Sequence, residues 1–166
     1  MKTIRTKVYQ FSELSESAKQ TAIEWYRNRE SEDYSFVWDN IKDDAKEIGL
    51  KIISLDDHKS NEGEFMLSAA EVAANIIRNH GNECETYKTA ISFLEEWEPA
   101  FSAYIETEEK ESELMDIEER FLQSLLEDYR IMYNQDIEAQ NEDEYIIDAI
   151  TANEYYFTKD GKIFHS

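Results

Sequence analysis

Leu114, Ile117, Phe121, Leu125, Tyr129 and Met132 follow one another at intervals of three or four residues across five helical turns. Such spacing puts all six on one face of a helix and demands that the face be buried. The demand is unusual because of where the stripe lies. From Glu95 to Asp148 there are 19 Asp or Glu and three basic residues, Lys110, Arg120 and Arg130, a net of −16. The whole chain of 166 residues is at −21, so about a third of it carries most of the imbalance. A disordered acidic tail lacks aromatic residues, whereas this chain has ten Tyr, eight Phe and three Trp. The stripe therefore predicts a folded acidic helix, with Glu113, Asp116, Glu119, Glu127 and Asp128 mostly off its buried face. Pro99 and the polar run Glu106–Glu111 are expected to separate it from a preceding helix.

Four glycines and one proline in 166 residues leave little material for turn-rich β architecture. Thr3–Phe11 reads as a strand with a basic edge. Ser12 or Ser15 caps a first helix with Leu14, Ala18, Ala22, Trp25 and Tyr26 on its apolar side and Arg27 and Arg29 in its last turn. After the polar break Glu30–Asp33, a second helix spans Ser35–Ile48 through Phe36, Val37, Ile41, Ala45 and Ile48. Gly49 supplies the left-handed residue that ends it.

Leu50–Leu55 and Glu64–Leu67 predict a hairpin across the loop Asp56–Gly63. Ser68 with Glu71 forms a capping box for a third helix, terminated by Gly81. Asn82 opens a fourth, through Tyr87, Ala90, Ile91, Leu94 and Trp97, which Pro99 must kink or replace by a new one. A short helix, Glu144–Ala152, carries Tyr145, Ile146, Ala149 and Ile150. Asp160-Gly161 between apolar runs predicts a closing hairpin. The expected class is α+β in a single domain, residues 1–166: a small antiparallel sheet, built from the N-terminal strand and two hairpins, packed against several helices, with long amphipathic acidic helices.

Catalytic signatures are missing from the sequence. A metal site around Asp56, Asp57, His58, Glu62 and Glu64 has no recognised ligand spacing. His80 and Cys84 flank a helix junction, but Cys84 has no second cysteine and no base at defined spacing. Asn134, Asp136 and Glu138 lack the glycine and closing glutamate of a calcium loop. The acidic pair Asp43-Asp44 is unremarkable among 38 acids. No metal, no cofactor and no enzymatic activity are expected. A single cysteine excludes an internal disulfide and fits a reducing cytoplasm. No apolar run approaches a membrane span, and no signal-peptide core follows the basic N-terminus.

Three segments carry a resemblance: Val8–Glu16 with Ala18-Lys19 and Ala22–Arg27, Asp43–Gly49, and Ala152–Lys162. Together they resemble small acidic hypothetical proteins of bacteriophages and mobile elements. The resemblance implies an accessory protein acting in the cytoplasm of a bacterial host. No catalytic motif is carried over from that group.

Such net charge repels nucleic acid and anionic membrane and attracts basic surfaces. The expected partner is a basic, nucleic-acid-binding bacterial defence effector, engaged by a face of Glu106, Glu108, Glu109, Glu113, Asp116, Glu119, Glu127 and Asp128. On that reading the protein is a DNA mimic of anti-CRISPR or anti-restriction type. It binds neither nucleic acid nor membrane. The alternative is an interaction or regulatory module that uses an aromatic surface, a homodimer being one form of it, with acidity serving solubility alone.

Overall fold

A computed structural model describes residues 6–29, 34–56 and 58–165. The start of the predicted first strand, the polar break Glu30–Asp33 and Asp57 lie outside them. In chain order the elements are β1 (Tyr9–Gln10), α1 (Glu16–Arg27), α2 (Ser35–Ile48), β2 (Leu50–Ser54), β3 (Glu62–Phe65), α3 (Ala69–Asn79), α4 (Glu85–Thr107), α5 (Glu111–Gln140), α6 (Asp143–Ala152) and β4 (Tyr156–Phe157). The class is α+β, as the patterning implies. The strands form two separate two-stranded antiparallel sheets, β1 with β4 and β2 with β3. The described residues group into two compact units, residues 1–34 with 136–166, and residues 35–135.

The unit built from the two ends of the chain has a small aromatic core. Ser15 caps α1 by accepting from the Ala18 amide. Ala18, Ala22, Ile23 and Tyr26 of α1 are buried with Ile146 and Ile150 of α6, and with Phe11, Leu14 and Phe157. Trp25 meets Tyr155 and Phe157 edge-on, with centroids at 5.3 and 5.9 Å. Arg27 ion-pairs with Asp143. The closing hairpin forms, with Phe157 bridged to Ile163 and the Thr158 amide donating to the Lys162 carbonyl. Within it only Gly161 has positive φ, at 81°.

The unit of residues 35–135 buries a larger core drawn from α2, β2, α3, α4 and α5. Gly49 adopts φ 92° after α2, as expected of a helix terminator. Ser68 and Glu71 complete the capping box of α3 reciprocally, and those hydrogen bonds hold the Glu71 carboxyl below its usual range. Phe36 was placed on the α2 stripe but is 47% exposed. It lies about 100° from Val37 around the helix, outside the arc that Val37, Ile41, Ala45 and Ile48 occupy. β3 runs Glu62–Phe65 rather than Glu64–Leu67: Phe65 pairs with Leu50, the first residue of β2, and an irregularity between Ile52 and Ser54 brings Ser54 opposite Glu62. Gly81 plays no left-handed role. The helix ends where His80 turns extended, at ψ 146°.

Two helix boundaries also move. α4 starts at Glu85 rather than Asn82, since the Cys84 amide donates to the Gly81 carbonyl in a turn. It then passes through Pro99 without a new helix beginning there. The cost is the hydrogen bond that the Glu95 carbonyl would have accepted.

Gly161 is the most constrained backbone position in the terminal unit. A Cβ there would fall 2.0 Å from the Ala18 carbonyl oxygen of α1, and a left-handed L-residue is strained besides. Gly161→Ala should destabilise this unit by at least about 2 kcal/mol, read as a lower thermal midpoint for the Trp25 environment.

Candidate functional site

The acidic residues singled out in the sequence belong to two consecutive helices of the larger unit, α4 and α5. Four side-chain pairs set their direction. Thr89 Oγ1 donates to Asp128 Oδ2 at 2.6 Å, Phe93 stacks on Phe121 at 4.1 Å, Arg120 Nη2 bonds Glu96 Oε2 at 2.9 Å, and Trp97 Nε1 donates to Glu118 Oε1 at 3.1 Å. As the partner on α4 advances, the partner on α5 retreats, so the helices form an antiparallel hairpin. Its turn is Glu108–Lys110, where Glu108 (φ 52°) and Lys110 (φ 71°) both take left-handed conformations.

The inner face of α5 explains why its charge is held in place. Leu114, Ile117, Phe121, Leu125, Leu126 and Tyr129 are all buried. Leu126 was not on the predicted stripe, because strict three-or-four spacing draws the buried arc too narrow. Phe121 also meets Phe65 of β3, with centroids at 5.5 Å.

Six of the eight predicted carboxylates are exposed: Glu106 at the end of α4, Glu108 and Glu109 in the turn, and Glu113, Asp116 and Glu119 along α5. Glu113 lies 3.7 Å from Lys110. The other two are half-buried and hold the unit together. Glu127 accepts from Arg130 Nε and Nη2 at 2.8 and 2.6 Å and from Asn61 Nδ2 at 3.2 Å. Asp128 accepts from Thr89. At about 100° per residue it falls between Ile117 and Phe121, within the buried arc. Burial raises its carboxyl pKa, against the Thr89 hydrogen bond, and the nearby charges of Glu85 and Glu127 add to the rise. Helical angle alone would have separated Asp128 from the outward residues.

A polar chain runs inside the same unit. Tyr129 Oη donates to Asp44 Oδ2 at 2.6 Å. His80 Nε2 is 3.5 Å from that oxygen, and His80 Nδ1 is 2.7 Å from Thr86 Oγ1. The order hydroxyl, imidazole, carboxylate has the membership of a nucleophilic triad. Thr86 is fully buried, however, so no substrate reaches its hydroxyl. The chain instead ties α2, the α3–α4 junction and α5 to one another. Burial, reinforced by Asp44, pushes the Tyr129 phenol far above its usual range. The only hint in the sequence was a tyrosine on a buried stripe, whose hydroxyl must find a partner.

Among the described residues no three His, Cys, Asp or Glu side chains are grouped to hold a metal ion. The His58 amide donates to Asp56 Oδ1 at 2.8 Å, a turn contact. Cys84 is exposed and precedes α4 without a side-chain capping bond. An open groove of about 570 Å³ between α4 and α5 has two cations on its rim, Lys88 and Arg120. Each is engaged by a carboxylate, Glu85 and Glu96 respectively.

No protein-family model, curated protein or solved structure matches the chain.

Two measurements separate structural from outward carboxylates. The folded pKa of Asp128 is raised, so its ionisation opposes folding once pH exceeds the unfolded value of about 4. Asp128→Asn, which keeps an acceptor for Thr89, should be more stable than wild type at about pH 7 and equal to it below about pH 4 in urea titrations. Tyr129→Phe removes a buried bond to a carboxylate and should cost about 1–2 kcal/mol in the same assay.

Proposed function

We propose that this protein is a non-enzymatic inhibitor that presents fixed negative charge to the nucleic-acid-binding surface of a basic partner and blocks it. The observation that carries the reading is the exposure of six carboxylates along a helical hairpin, three of them on α5, whose other face is buried. Carboxylates three or four residues apart on a helix are about 5–6 Å apart along its axis. Duplex DNA carries a charge about every 1.7 Å, and its binding proteins are built to meet such rows with lysine and arginine. A fixed row loses little entropy on binding, whereas a flexible acidic tail would have to be ordered.

The resemblance to acidic phage and mobile-element proteins supplies a setting. There the partner would be a bacterial defence effector, and the protein would be of anti-CRISPR or anti-restriction type. The second reading, an interaction module using an aromatic surface, draws support from Phe101, which is 36% exposed.

The test combines Glu106→Lys, Glu113→Lys, Asp116→Lys and Glu119→Lys, all at exposed positions. The readout is inhibition of DNA binding by a panel of restriction and CRISPR effectors. Wild type should inhibit at least one of them, more weakly as salt rises, and the quadruple variant should lose at least about tenfold in potency with an unchanged melting curve. Equal inhibition by the variant, or none by wild type across the panel, would sink the proposal.

A further inference from the structure

The tip of the α4–α5 hairpin carries an apolar strip as well as charge. Trp97, Phe101 and Ile105 occupy positions i, i+4 and i+8 of α4 and so share one face. The Trp97 and Phe101 rings stack at 4.4 Å with an interplanar angle of 12°. Trp97 is anchored to α5 through Glu118, while Phe101 and Ile105, one and two turns further on, are exposed. The antiparallel register places them level with the first turns of α5, which carry exposed Met115. Single exposed apolar residues are ordinary, but a stacked pair continued in line by a third makes a surface.

The charge along this stretch of the chain is predominantly negative. Residues 98–116 hold seven carboxylates and one lysine. The last turn of α4 has no basic residue, so its C-terminal partial negative charge adds to that of Glu106 and Glu108. A second copy of the chain would bring like charges together. A neutral apolar partner would strip water from the rim without replacing its hydrogen bonds.

We propose that the hairpin tip docks a basic amphipathic helix of the partner, with apolar side chains on Trp97, Phe101 and Ile105 and lysines or arginines on Glu98, Glu106, Glu108 and Glu109. The inference rests on the reading of the target as basic and specifies the element by which it is held. It also explains why apolar exposure and acidity coincide at one place.

The full chain is titrated calorimetrically at about 0.15 M salt with a helical Lys/Leu peptide of about 18 residues, and with a scrambled peptide of the same composition. Wild type should bind the amphipathic peptide at least about tenfold more tightly than the scrambled one. Phe101→Ser with Ile105→Ser, both exposed, should erase that margin while leaving the melting curve unchanged. Equal binding of both peptides, or a margin that survives the double substitution, overturns the inference. So does a wild-type dimer in sedimentation that the double variant dissolves, which would assign the strip to self-association. Nuclease inhibition without peptide discrimination removes this inference alone. Peptide discrimination without inhibition of any nuclease removes the inhibitory function alone.

Discussion

Burial of one face of α5 is the constraint on which the larger unit depends. Ile117, Phe121, Leu125, Leu126 and Tyr129 pack among residues of α2, β2, α3 and α4. Each fully buried aliphatic or aromatic side chain of this size contributes about 1.5–3 kcal/mol. That contribution has to exceed the mutual repulsion of the carboxylates on the opposite face, which is screened over about 8–10 Å at ordinary salt. The same helix thus joins a stabilising interior to a self-repelling exterior. A surface of this kind gains when a cationic partner arrives, because repulsion already present in the free protein is relieved.

The acidic residues divide by what they face. Glu118, Glu127, Asp128 and Asp44 receive hydrogen bonds from Trp97, Arg130 with Asn61, Thr89, and Tyr129 respectively. Each ties neighbouring elements or adjacent turns together. Glu106, Glu109 and Asp116 lie free of the core and repeat along the hairpin. A chain this acidic therefore uses carboxylates in two ways: as acceptors for buried or half-buried donors, and as an outward field. The buried polar chain through His80 and Thr86 belongs to the first use, since its hydroxyl is closed to solvent.

Much of the architecture was legible in residue order. Ser15 and Ser68 as caps, Gly49 and Gly161 at positive φ, and the helical stripe of α5 all follow from local stereochemistry, which operates within four or five residues. The places that escaped are those where distant segments decide. β1 pairs with β4 across nearly the whole chain rather than joining the β2–β3 sheet. Pro99 stays inside α4, which runs on to Thr107 past the one hydrogen bond that the proline removes.

Sequence by itself determined that this protein is helical, acidic and folded, for periodic apolar residues and net charge are properties of the chain. Tertiary structure decided which carboxylates are available. Helical angle sets Asp128 apart, but Glu127 lies on the same side of α5 as Glu113 and Asp116, and only its contacts with Asn61 and Arg130 distinguish it from them. Whether a charge is a surface or a strut depends on what packs beside it, and two of these neighbours, Asn61 and Thr89, come from a loop and a helix tens of residues away.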